Sequence, residues 1–142
     1  MTMHRDSRLI RCPAEDVFAL VADVERYPEF LSLWRQARIY EREGDTYWTE
    51  QELGLGPVRE RFRTRTDLIP SSRIEVTSAD DLFRSFVIQW EFTPARTSCR
   101  ASVALKWELK SRALQRAIDL LLPSTARTMV AAFQARAERG GR

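Results

Sequence analysis

From Arg59 to Leu109 the apolar residues recur at every second position, whereas towards both ends of the chain they recur at every third or fourth. In "ERFRTRTDL" the set Phe62, Thr64, Thr66 and Leu68 falls on one face of a strand, and Arg59, Arg61, Arg63 and Arg65 fall on the other. "FVIQWEF" sets Phe86, Ile88, Trp90 and Phe92 against Val87, Gln89 and Glu91, and "ASVALKWEL" does the same with Ala101, Val103, Leu105, Trp107 and Leu109. Strands of this kind form an antiparallel sheet with one wet face, and its apolar face must be covered by something else in the chain.

Two segments have the helical period that could supply the cover. In "CPAEDVFALVADV", Pro13 suits a first turn, Glu15 and Asp16 suit its positive dipole end, and Ala14, Val17, Phe18, Val21 and Val24 form one stripe. At the other end Leu114, Ala117, Ile118, Leu121 and Leu122 continue past Pro123 into Ala126, Met129, Val130, Phe133 and Ala137. That stripe predicts one long helix, kinked or broken near Pro123 and ending at Gly140 and Gly141. Weaker strands fall at "HRDSRLIR", "RQARIYER", "YWTEQEL" and "RIEVTSA", with turns at Gly44-Asp45, Gly54 to Pro57, Pro70 to Ser72, Asp80-Asp81 and Pro94 to Thr97. Between the first helix and the second strand lies "DVERYPEFLSLW", a proline-stiffened hinge crowded with Tyr27, Phe30, Leu31, Leu33 and Trp34.

The expected order is strand, helix, short helical hinge, six strands and a long helix. The fold class is α+β: a curved antiparallel sheet of about seven strands wrapped around the C-terminal helix, with two short helices after the first strand. With 142 residues, 44% hydrophobic and 30% charged, one domain over residues 1–142 is expected. "MTMHRDSRLIRCPAEDV" has no apolar core long enough for a signal peptide, and "AIDLLLP" is too short to span a bilayer. The reading is a cytoplasmic protein, with part of the stripe near Pro123 exposed as a ligand portal or a patch that touches a membrane surface.

Catalytic parts are scarce. His4 is the sole histidine and is expected as an exposed strand-edge side chain, so a Ser-His-Asp arrangement is disfavoured. No Gly-rich phosphate loop, HExxH or GxGxxG is present, Cys12 and Cys99 lack metal-ligand spacing, and Asp80-Asp81 reads as turn chemistry. No catalytic residue, metal or cofactor is therefore assigned. The inward face instead joins large aromatics to Thr49, Gln51, Thr64 and Thr66, and buried hydroxyls and amides need partners that a dry aliphatic core does not supply. Mostly aromatic walls with a few polar groups are what a pocket for an apolar ligand requires. The arginine row is read as a solvated face paired with Glu50, Glu52 and Glu75, which makes nucleic acid or a ribosome a disfavoured partner.

"LVADVERYPEFL", "RERFRTR", "WEFTP" and "MVAAFQARA", in this order and at about this spacing, resemble the coenzyme-Q-binding branch of the START-like, helix-grip superfamily, which also includes polyketide cyclases and a bacterial ribosome-association toxin. The likeness runs over nearly the whole sequence. It departs after the hinge, where "LSLW" replaces a common Pro and Cys, and at Asp81, Leu82 and Phe83, where Gly-Pro-Phe is common. The resemblance implies a cavity between sheet and last helix, with Tyr27, Phe30, Leu31 and Trp34 in a lid. Its walls would come from Phe62, Trp90, Phe92, Trp107, Met129 and Phe133, with Thr49, Gln51 and Thr64 as polar groups. A prenylated quinone or other lipid-like molecule is the implied ligand, held by a carrier or chaperone. Polyketide aromatase/cyclase or dehydratase activity is the alternative, and ribosome-directed regulation the second alternative.

Overall fold

The computed structural model describes residues 2–140; the expected final Gly141 lies outside them. Strand β1 (Thr2–Ile10) is followed by helix α1 (Ala14–Ala22), a 3-10 helix (Val24–Glu29), strands β2 (Trp34–Glu43), β3 (Thr46–Leu55), β4 (Val58–Ile69), β5 (Arg73–Thr77), β6 (Phe83–Ala95) and β7 (Ser98–Leu109), and helix α2 (Arg112–Glu138). The strands form one seven-stranded antiparallel sheet in the order β1-β7-β6-β5-β4-β3-β2. From β2 onward each strand pairs with the next, as hairpins demand, while α1 and the 3-10 helix carry the chain from one edge of the sheet to the other. Register shifts in β2 and at the start of β6 mark bulges, which bend a strand and sharpen its twist.

The period of two survives as burial. In β4, Phe62, Thr64 and Thr66 are buried while Arg61, Arg63 and Arg65 are exposed, and Phe86, Ile88, Trp90 and Phe92 of β6 share the inward face. Thr49 lies opposite Thr64 and Gln51 opposite Phe62, so the β3–β4 register places the polar inward residues together. Gly54 and Pro94 extend β3 and β6 rather than opening the turns, which are narrower than the sequence suggests.

Helix α2 runs 27 residues, about 40 Å at the α-helical rise, and spans the inward face. It starts at Ser111, whose hydroxyl accepts from the Leu114 amide at 3.2 Å, and Gly140 follows its end at φ 89°. The long helix is present and continues through Pro123, so of the expected kink or break the break is absent. Pro123 cannot donate to the helical ladder, but buried Ile118, Leu122 and Ala126 on either side of it anchor both halves to the sheet. The stripe is also narrower than its sequence: Leu114 and Ala117 are half-buried and Leu121 is 38% exposed, while Leu120, outside the stripe, is 81% exposed. His4 departs from expectation as well, since it is half-buried on the inward side of β1 with Nε2 enclosed. No helix among the described residues is long and apolar enough to cross a membrane.

Leu122 has no exposed surface, so Leu122→Ala should cost about 2–5 kcal/mol in urea unfolding, whereas Leu120→Ala should stay within about 0.5 kcal/mol. Equal effects would mean that the helix is seated on a different face.

Candidate functional site

The hinge packs as a lid of rings. Tyr27 meets Phe30, Trp34 and Phe133 edge-on at 6.2, 5.2 and 5.2 Å between centroids, and Phe133 meets both Phe30 and Trp90 at 5.3 and 5.2 Å. Edge-to-face contacts of this kind add to the burial of each ring. The lid is tied to the last turn of α2 by Arg136, which donates to Glu29 at 2.7 Å while its guanidinium lies 4.9 Å over Phe30. Arg136 is only 8% exposed, a buried charge that helical periodicity alone gives no reason to expect.

Beneath the lid, Val21, Tyr27, Trp34, Tyr47, Gln51, Thr66, Phe86, Trp90, Met129 and Phe133 are among the residues around an enclosed space of about 30 Å³. That is room for roughly one water, against several hundred Å³ for an occupied ligand pocket, so the site stands closed. Its polar edge is ordered by one amide. The Gln51 Oε1 accepts from Trp34 Nε1 at 2.7 Å, and its Nε2 donates to the Thr49 and Thr64 hydroxyls at 2.9 and 3.2 Å, which also bond to each other. Gln51, Thr49 and Thr64 thus each have a partner, which explains how they tolerate burial.

Of the expected site residues, Tyr27, Trp34, Gln51, Trp90, Met129 and Phe133 line this space. Thr49 and Thr64 hold Gln51 from behind, Phe30 closes the lid from above, and Phe92 stacks on Trp90 at 5.9 Å while meeting Phe18. Phe62 and Trp107 border a second space of about 30 Å³ further along the sheet. The single cavity expected from the sequence is therefore divided.

Tyr47 was not among the expected site residues, although it shares the inward face with Thr49, Gln51 and Leu53 at period two. Its hydroxyl donates to the Ala22 carbonyl at 2.8 Å, and that of Tyr27 donates to the Val21 carbonyl, so two side chains satisfy carbonyls that the end of α1 leaves without helical partners. Burial pushes both phenols up, Tyr27 well above its ordinary value and Tyr47 to about 12, with a hydrogen bond from Thr66 and the Arg42 charge pulling the latter back.

On the outward face Arg61 bridges Glu50 and Glu52, Arg63 reaches Glu50, and Arg65 reaches Asp67. The expected pairing with neighbouring carboxylates is present, except that Glu75 accepts from Gln89 and Asp67 serves Arg65 instead. Among the described residues no cluster of three or more side chains could hold a metal ion.

An antiparallel sheet closed by one long helix over an aromatic, polar-footed interior defines a START-like helix-grip protein. The chain belongs to the family described as polyketide cyclase/dehydrase and lipid transport, matched over residues 10–134. It is 30% identical to the ribosome association toxin RatA of Pseudomonas aeruginosa over 93% of this chain and 92% of the toxin. It is 23% identical to the mitochondrial coenzyme Q-binding protein COQ10 homolog B of Xenopus laevis over 96% of this chain and 58% of that protein. Among solved structures, the Zhui aromatase/cyclase from Streptomyces sp. R1128 superposes with a TM-score of 0.87 at 13% identity, covering 99% of this chain and 96% of its own. A START superfamily protein from Mycobacterium smegmatis gives 0.82 at 19% identity, covering 96% and 97%.

Because Tyr47 keeps its proton more tightly when folded, its contribution to stability is complete below pH 10 and is lost as pH rises from 10 towards 12. Tyr47→Phe should therefore show less alkaline destabilisation than the unmodified protein, by roughly 2–3 kcal/mol at the top of that window. Parallel curves from pH 8 to 12 would contradict the burial of the phenol.

Proposed function

We propose that this protein binds an amphiphilic small molecule, a prenylated quinone or comparable lipid-like compound, with its ring system under the lid between β3, β4, β6 and α2. The observation that carries this reading is the joining of an aromatic wall, Trp90, Phe133 and Tyr27, to one ordered amide, Gln51, at the border of an enclosed space. Apolar walls supply affinity and a few fixed polar groups supply orientation. Coenzyme Q-binding relatives and the lipid-transport description of the family support it.

The interior favours binding over acid–base chemistry. Both inward tyrosines spend their protons on backbone carbonyls, and burial moves their pKa values away from neutrality, where a general acid or base works best. This counts against the cyclase alternative.

Titration with a short-chain ubiquinone analogue should quench tryptophan emission saturably, and Trp90→Phe should weaken binding several-fold. Unchanged emission, together with no small molecule in a native mass spectrum or lipid extract of the purified protein, would remove the ligand-binding reading.

A second reading, ribosome association, draws support from the toxin relatives and from the exposed arginine row of β4. Binding through that row would release counterions and weaken steeply with salt. Arg61, Arg63 and Arg65 already have carboxylate partners, which blunts their attraction for phosphate. The expected result is quinone binding unaffected by changing all three to Gln, with no ribosomal co-sedimentation of the unmodified protein. Salt-sensitive co-sedimentation abolished in the triple variant would move the function to translation control.

A further inference from the structure

The second space lies at the other end of the inward face, among Leu33, Leu53, Phe62, Phe83, Trp107 and Ile118. Only a layer of rings separates it from the first. Phe86, which borders the space under the lid, stacks on Trp107 at 4.9 Å and 21° and packs against Phe62 at 5.4 Å, and both of those rings border the second space.

Two further observations give this space a character of its own. Trp107 is 3% exposed, yet its Nε1–H has no hydrogen-bond partner among the described residues, which is uncommon for a buried indole. The rim residues Val58, Glu60 and Leu82 are only half-buried, and they lie where the β3–β4 turn approaches α2. At that turn a Cβ on Gly56 would stand 3.6 Å from Leu121 Cδ1, so the partly exposed Leu121 reaches the same end of the molecule, with the still more exposed Leu120 beside it in sequence.

We infer that the second space is a subsite for an aliphatic chain, admitted between the β3–β4 turn and the first half of α2, and that Trp107 Nε1 donates to an oxygen carried on that chain. The assignment rests on the ligand-binding reading above and refines it: the ring lies under the lid, the chain lies past Phe86, and the Phe62–Phe86–Trp107 layer must part for one molecule to occupy both. Chemically the chain is that of an acyl, keto or hydroxylated lipid, so within the ligand class proposed above it favours the comparable lipid-like compounds over a quinone whose prenyl tail carries no oxygen. A pure hydrocarbon would leave the indole donor unpaired.

1-Bromododecan-2-ol tests this without a ring, because its bromine sits on the carbon next to the hydroxyl and quenches indole emission only at contact. The alcohol should quench the unmodified protein saturably. Its effect should vanish from the remaining emission of Trp107→Phe and need at least about tenfold more alcohol in Ile118→Phe, which fills the space. Leu53→Phe serves the same purpose if circular dichroism shows Ile118→Phe to be unfolded. 2-Dodecanone should displace the bromoalcohol several-fold better than 1-dodecene of equal length.

No quenching of the unmodified protein, or equal quenching in the filled variant, overturns the chain subsite. Equal displacement by ketone and alkene overturns the role given to Trp107. A chainless dimethoxybenzoquinone, titrated in parallel, separates this proposal from the broader one: it should bind the filled variant as well as the unmodified protein. Its failure to bind either, beside intact bromoalcohol quenching, would remove the ring site and leave the chain site standing.

Discussion

The inward face of the sheet and the buried stripe of α2 exist only by covering each other. Phe62, Phe86, Trp90, Trp107 and their neighbours could not face water, and Ile118, Leu122, Ala126, Met129, Val130 and Phe133 would be no better placed on an isolated helix. Everything of functional interest is a local fault in that contact. Where rings from the lid intrude beside Phe133, the first space appears; where the stripe thins towards Leu121, the second does. Two such faults in one interface explain how a closed core can still have the makings of a pocket.

Much of this was legible in the sequence because it follows from period. Alternation from Arg59 to Leu109 identified both faces of the sheet, and helical spacing found both helices and most of the covering stripe. What escaped depends on register and on distance across the fold. Tyr47 stands at an inward position, but its partner Ala22 lies across the chain at the end of α1, and no local pattern announces that bond. Arg136 has the composition of a solvent residue, and only the hinge's arrival over the last turn of α2 buries it. The division of the cavity turns on the orientation of Phe86 and Trp107, which alternation places on one face without saying how their rings stack. At Pro123 a strong local rule allowed a break that packing on both sides of it overrules.

The two faces of the sheet have been shaped by different physics. Inside, Gln51 is held by three directional bonds with no slack, so the polar edge presents one fixed orientation. Outside, Arg61 and Arg63 share Glu50 in water, where such pairs contribute little and can be exchanged for another partner at small cost. The family's spread of activities, from lipid transport to cyclisation, sits easily with a framework whose interior and exterior can change independently.

The tyrosine bond from the lid to the Val21 carbonyl gives the molecule an unequal pair of doors. Lifting Tyr27 loosens the end of α1 at the same moment, because the Val21 carbonyl loses the hydroxyl that serves it, and it also breaks the edge contact with Phe30, on which Arg136 rests. At the far end, Val58 and Leu82 bear no such obligation to a helix terminus. Under the ligand-binding proposal, traffic through the lid would be coupled to local unfolding and slow, whereas the Leu121 end would breathe by side-chain rotation alone, on a much shorter timescale.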